Sequence, residues 1–222
     1  CHWEVRYTMK SLVLTFDDGP DIRYTPLLLD LLKHENVPAT FFVVGRHADA
    51  HPELIHRMIS EGHTVGGHTM SHKNALLCTP SAIREDFKAS IRLHRELTGT
   101  ALRFFRPPWG ISSPFMNRYI KKYQIQRVLW DVMAEDWESQ TTSGAISNKL
   151  KDRVFDGAVI CLHDAGEDTG GAKGAPRRTI DALIHTIPWL KAQGYQFLTM
   201  DQYIKGVDAH AIQQRKKGLL WP

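Results

Sequence analysis

The chain is short of cysteine and has no long apolar run, and each shortage excludes something. Its three cysteines, Cys1, Cys78 and Cys161, form no CxxC pair and leave an odd thiol. A disulfide framework is therefore not expected to be the main source of stability. No stretch reaches the roughly 20 apolar residues that a membrane helix needs. The longest candidates, Leu27–Leu32 and Thr40–Val44, are interrupted core segments. Repeats, low-complexity tracts and linkers are also lacking, so 1–222 is read as one domain, with its core at about 11–205 and short extensions at both ends. Neither sign of charge dominates: 28 Lys and Arg against 24 Asp and Glu give +4. Nucleic acid would need a concentrated basic patch and is not an expected partner. With 42% hydrophobic and 23% charged residues, the composition is that of an ordinary globular chain. The one unusual count is histidine, at 12.

The apolar segments alternate in period. Short β-rich runs fall at Ser11–Phe16, Ala39–Val44, His63–Gly66, Arg103–Phe105, Ile125–Trp130, Ala158–Leu162 and Gln196–Thr199. Helical spacing appears at Thr25–His34, Pro52–Glu61, Pro80–Leu97, Pro114–Tyr123, Gly144–Val154 and Arg177–Gln193, with Thr79 or Ser81 as the cap of the third. Strands alternating with helices predict a parallel α/β sheet, either a barrel or a doubly wound sheet. In both, reactive groups gather just after the strands.

The sequence meets that demand. After the first strand stand Asp17-Asp18-Gly19-Pro20, two adjacent carboxylates that can take different tasks, one on a metal and one on a proton. After the third come His68 and His72, four apart, which meet on one face if the loop makes a helical turn. Two imidazoles and one carboxylate are an open zinc set, with a position left for water. Arg106-Pro107-Pro108-Trp109-Gly110 follows another strand. Its arginine can grip a carboxylate, and its prolines leave the Trp109 amide free. Leu162-His163-Asp164 ends a later strand and offers a general acid. His34, His47, His51, His56, His94 and His185 have no motif around them and are read as surface residues. Cys161 is read as a small buried hydrophobe.

Together these elements resemble the NodB-homology polysaccharide deacetylases, carbohydrate esterase family 4, through Thr15–Pro20, His68–His72, Arg106–Gly110, Asp136-Trp137 and Leu162-His163, over about Leu12 to Tyr203. The resemblance implies a distorted, incomplete (β/α) barrel of mostly parallel strands. It implies a divalent metal on Asp18, His68 and His72, zinc first, with cobalt, nickel or iron also able to occupy the site. It further implies Asp17 as general base, Arg106 orienting it, and His163 as general acid. The Trp109 amide, with Pro107 beside it, would face the oxyanion, and Trp137 and Leu162 would wall the acetyl methyl. The activity implied is removal of N-acetyl groups from N-acetylglucosamine residues of a peptidoglycan or chitin-like glycan. A monomer at the cell envelope or outside the cell is expected; any signal or anchor would lie upstream of Cys1, which is read as a boundary rather than a lipidation site.

Two departures qualify that expectation. Met133 stands where the family usually carries an aspartate three residues before Asp136, and in the family that aspartate orients the acid histidine. Asp131, two residues earlier, or Asp164 is the expected substitute. Trp109 stands for a more frequent tyrosine. Met133 keeps two alternatives open: a deacetylase of another amide, such as an acetylated polyamine, and a carbohydrate-binding relative with impaired catalysis. The Gly-rich stretch Gly166–Ala175 is read as a plain connection rather than a lid, and Gln213–Lys217 as a basic frayed tail.

Overall fold

A computed structural model describes residues 10–206. The expectations for Cys1 and for Gln213–Lys217 lie outside the described residues. The described residues form eight strands: β1 (Lys10–Asp17), β2 (Thr40–Val43), β3 (Thr64–Gly67), β4 (Phe104–Phe105), β5 (Gln126–Arg127), β6 (Val132–Met133), β7 (Ala158–His163) and β8 (Tyr195–Phe197). They run parallel in the order β5-β4-β3-β2-β1-β7-β6, with β8 beside the start of β1. The helices are α1 (Thr25–His34), α2 (Gly45–Ala50), α3 (Pro52–Ser60), α4 (Pro80–Thr98), α5 (Pro114–Lys122), α6 (Ser143–Arg153) and α7 (Ala175–Ala192). Among the described residues no helix is long and apolar enough to cross a membrane.

The pleat of β1 explains where the site must be. Leu12, Leu14 and Phe16 enter the main core with Leu28, Leu32, Ile146 and Leu183 from the surrounding helices. Val13 faces the other way, into a second cluster with Phe42, Phe104, Val128, Val159 and Met200. Side chains alternate along a strand, so Thr15 and Asp17 follow Val13 to the inside of the curl. Among the described residues the curl does not close: β5 and β6 end the order and do not pair with each other. This is the distorted, incomplete (β/α) barrel that the resemblance implied, with the doubly wound alternative discarded.

Local signals set the helix ends. Thr79 caps α4 by accepting from the Ala82 amide, and Gly99 ends it in the left-handed region. Ser81 is not the cap. Ser113 and Thr142 cap α5 and α6 in the same way. The strand expected at Ile125–Trp130 shrinks to Gln126–Arg127, because Arg106 takes the carbonyls of Val128 and Leu129. The six-residue α2 is too short to show a period in the sequence.

Candidate active site

The strand ends bring the predicted residues together around a cavity of about 330 Å³. It is lined by Asp17, Asp18, His68, His72, Trp109 and His163, and also by Trp130, Met133, Trp137, Cys161 and the turn Thr169–Gly171. Four of its residues or their loop neighbours, Asp18, Thr69, His72 and Trp109, hold φ between 51° and 74° without being glycine. Backbone in that region costs energy for an L side chain, and such strain concentrates at functional sites.

Asp18, His68 and His72 place one ligand atom each within 4.8 Å of the others. The Asp18 Oδ1 atom lies 3.0 Å from His72 Nε2 and 3.4 Å from His68 Nε2. It is buried and has no hydrogen-bond donor. His68 donates from Nδ1 to the Arg106 carbonyl at 2.7 Å, which leaves the lone pair of neutral His68 on Nε2. Lone pairs that converge in a buried space need protons or a cation between them, and two imidazoles with a carboxylate are a donor set that divalent metals take. The residues present thus fit a divalent metal. Burial would raise the Asp18 carboxyl, but the facing imidazoles and the charge on His163 outweigh it and hold the group well below the usual carboxylate range. The loop between the histidines is itself held: Asp86 on α4 accepts from the Met70 amide at 2.8 Å and from the Ser71 hydroxyl at 2.6 Å.

Asp17 is gripped from one side. The Arg106 guanidinium is fully buried in the gap of the sheet and donates to Asp17 Oδ1 at 2.7 Å and to Thr15 Oγ1 at 2.6 Å. Its other N–H groups go to the carbonyls of Val128 and Leu129, and its plane lies 4.3 Å from the Phe42 ring centroid. A buried charge is tolerable only when paired and bonded in this way. Trp109 is half exposed, its ring edge-on to His72 at 4.6 Å. Gly110 and Ile111 donate to Pro107 and Pro108, which leaves the Trp109 amide outside the hydrogen bonds of the turn.

Three expectations are corrected. Asp131 does not face His163: its Oδ2 accepts from the Val159 amide at 2.9 Å. The orienting carboxylate is Asp136, whose Oδ1 accepts from His163 Nδ1 at 2.9 Å and whose Oδ2 accepts from the His163 amide and the Thr179 hydroxyl. Asp164 points the other way, accepting from Thr25 Oγ1, so it does not substitute either. Leu162 is buried in the main core with Phe16, because it alternates with His163. Cys161 takes the cavity position instead, opposite Met133 in the β6–β7 register. Pro107 is buried under the turn and does not line the cavity. Met133 therefore costs His163 no partner, which removes the only sequence feature favouring a non-catalytic relative. His163 stands edge-on to Trp137 at 5.3 Å. Burial works against its charge, but Asp136, with Asp18 and Asp17 behind it, raises its pKa to about 10.

Cys161 is more than a filler, since its Sγ sits 3.5 Å from Asp17 Oδ2. Burial, reinforced by Asp17, pushes that thiol well above its ordinary value. The stretch after His163 is also more than a connection, because Thr169, Gly170 and Gly171 form one wall of the cavity. His47 is not a free surface residue: it donates to the Asp18 carbonyl at 2.7 Å.

A family model described as polysaccharide deacetylase matches residues 4–128. The chain is 35% identical over 194 residues to a peptidoglycan-N-acetylglucosamine deacetylase of Bacillus cereus, covering 87% of this chain and 68% of that one. It is 35% identical over 198 residues to a chitooligosaccharide deacetylase of Bradyrhizobium, covering 87% and 90%. Among solved structures, the peptidoglycan deacetylase PdaC from Bacillus subtilis superposes with a TM-score of 0.82 at 29% identity, covering 95% and 98%. A family 4 acetyl xylan esterase from Clostridium thermocellum, in complex with a cobalt ion, gives 0.79 at 34%, covering 88% and 91%.

Proposed function

The chain belongs to the polysaccharide deacetylase family, and on that premise we propose that it is a metal-dependent hydrolase removing N-acetyl groups from N-acetylglucosamine residues of peptidoglycan or a chitin-like oligosaccharide. The observation that carries this reading is one cavity lined by a metal-ligand triad, a clamped carboxylate and a buried histidine paired to a second carboxylate.

Asp18, His68 and His72 would hold the metal, and the two-imidazole, one-carboxylate set favours zinc. When bound, a divalent cation polarises the amide carbonyl and acidifies the attacking water. Asp17, fixed by Arg106, accepts the proton of that water. The Trp109 amide donates to the oxygen on which charge develops; one such donor is worth about 3 kcal/mol. His163 has Nδ1 committed to Asp136, so Nε2 is left to face the substrate nitrogen and give it a proton. Protonation is what turns the amine into a leaving group. Trp137, Cys161 and Met133 supply an apolar wall for the acetyl methyl. A peptidoglycan substrate assigns the work to the cell envelope or beyond.

The test is acetate release from chitooligosaccharides and from peptidoglycan by chelated protein given zinc or cobalt, with His68→Ala as control. Turnover of at least one glycan, lost with His68, is expected. Release only from a small acetylated amine would overturn the glycan assignment, and full metal retention by His68→Ala would overturn the ligand set.

A further inference from the structure

The segment from Gly166 to Gly174 is tied down at three consecutive residues. Glu167 accepts from the Tyr24 hydroxyl at 2.8 Å, from Arg23 at 2.9 Å and from the Gly174 amide at 2.8 Å. Asp168 accepts from Arg46 at 2.6 Å and lies 2.9 Å from His47 Nε2, whose ring reaches the Asp18 carbonyl from its other nitrogen. Thr169 Oγ1 lies 2.9 Å from Asp18 Oδ2 and 3.1 Å from the Gly166 carbonyl. A hydroxyl has one hydrogen, and the ionised carboxylate is the stronger acceptor. The main chain closes in as well. Gly166 has φ +115°, and a Cβ there would stand 2.7 Å from Asp18 Oδ2, so only glycine permits this approach.

The two oxygens of Asp18 therefore live in different surroundings. Oδ2 is covered by Thr169 and the Gly166 backbone, while Oδ1 faces both imidazoles with no donor of its own. We propose that Thr169 is a positioning residue that caps Asp18 Oδ2, so that the carboxylate meets a divalent cation through Oδ1 alone, and that the ties of Glu167 and Asp168 hold Thr169 in place. The inference rests on the metal-site reading above. A carboxylate without its cap is free to rotate and to bind through both oxygens, which changes affinity and coordination number together. Hydrogen-bonding partners of metal ligands are commonly worth about 10–100-fold in metal affinity.

The experiment is cobalt titration of the 222-residue chain stripped of metal by chelation, followed by equilibrium dialysis and visible absorption. Thr169→Val keeps the shape and removes the hydroxyl; Thr169→Ser restores it. Affinity of Thr169→Val is expected to fall about tenfold, at the lower end of that range, with a changed cobalt absorption envelope, while Thr169→Ser stays close to the unmodified chain. Wild-type affinity and spectrum in Thr169→Val would overturn the proposal, as would a Thr169→Ser variant as impaired as Thr169→Val. Should Thr169→Val fail to fold, Asp168→Asn cuts a tie outside the cavity and is expected to weaken cobalt in the same direction; an unchanged affinity there would overturn the role of the ties. An unmodified chain that binds no cobalt would instead overturn the metal-site reading itself.

Discussion

Asp136 holds His163 twice, with Oδ1 on the ring Nδ1 and Oδ2 on the backbone amide, both at 2.9 Å. The ring is thereby fixed in orientation and its proton is retained to about pH 10, against the effect of burial. A general acid must be protonated, so activity is lost as pH rises through its pKa. Asp136→Asn removes the larger of the opposing charges, and the alkaline limb of kcat/KM is expected to move to lower pH. At pH 9 the loss should be about a hundredfold, the lower range for a misplaced acid, and smaller at pH 6. An alkaline limb that does not move would remove Asp136 from this role.

The same pairing has a stability consequence. The folded pKa of His163 lies above its unfolded value of about 6.5. Its contribution is therefore fully present below that value and is lost as pH rises through about 10. Urea midpoints should show the deficit of Asp136→Asn largest near pH 6 and shrinking towards pH 10. A deficit constant across that window would mean that the bond acts through packing alone.

Chelation should be visible at the same histidine. Asp18 and Asp17 are among the charges that raise His163. A divalent cation on Asp18 offsets the first of these, so the metal-loaded protein should titrate His163 at lower pH than the metal-free one. Histidine proton resonances followed from pH 6 to 10, with and without zinc, check the sign. A shift in the opposite direction would place the cation elsewhere.

The strand-to-loop logic gathers Asp17, Asp18, His68, His72, Arg106 and His163 from the sequence, because each stands at or just after the end of a predicted strand. What was missed follows from the strand period applied one residue out of step. Leu162 neighbours His163 and so must face away from it, whereas Cys161, two residues before, shares its side. Asp131 is likewise two residues from Met133, but its side chain is drawn to the Val159 amide at the edge of β7. The tie between His47 and Asp18 joins residues 29 apart through a helix too short to show a pattern. The wall made by Thr169 depends on hydrogen bonds to elements more than 100 residues earlier, which no local signal encodes.

Arg106→Lys is expected to fail despite keeping the charge. Lysine cannot span Asp17, Thr15 and two carbonyls from one fork, and it leaves buried acceptors bare. Breaking such a buried set costs about 3–5 kcal/mol, which for a chain of this size lowers Tm by about 6–20 °C. Scanning calorimetry of the variant checks this, and a Tm within a degree or two of the unmodified chain would contradict the clamp.

The described cysteines should differ sharply in reactivity. Cys78 is partly exposed, whereas Cys161 is buried with its thiol pushed well above its ordinary value. Thiolate is the reacting form. Brief alkylation of native protein, read by peptide mass mapping, should modify Cys78 and spare Cys161 until urea is added. Equal labelling of the two in the native state would show that the floor of the cavity is open.

Asp164 carries the opposite kind of cost. Burial, reinforced by the negative charges of Asp18 and Asp17, raises its carboxyl to about 7 although Thr25 donates to it. Gly19 packs so close that a Cβ there would stand 2.3 Å from the carboxylate, so no side chain shields the group on that side. A carboxyl raised in the folded state stabilises the fold below its unfolded pKa, and that contribution is lost as pH rises through the folded value. The unmodified chain should therefore lose stability between about pH 4 and pH 7 on account of this residue. Asp164→Asn is neutral at every pH and should narrow its deficit, or become the more stable form, at pH 8 relative to pH 5. Guanidinium midpoints at the two pH values decide it: a difference that stays the same would mean that the carboxyl is ionised in the fold at both.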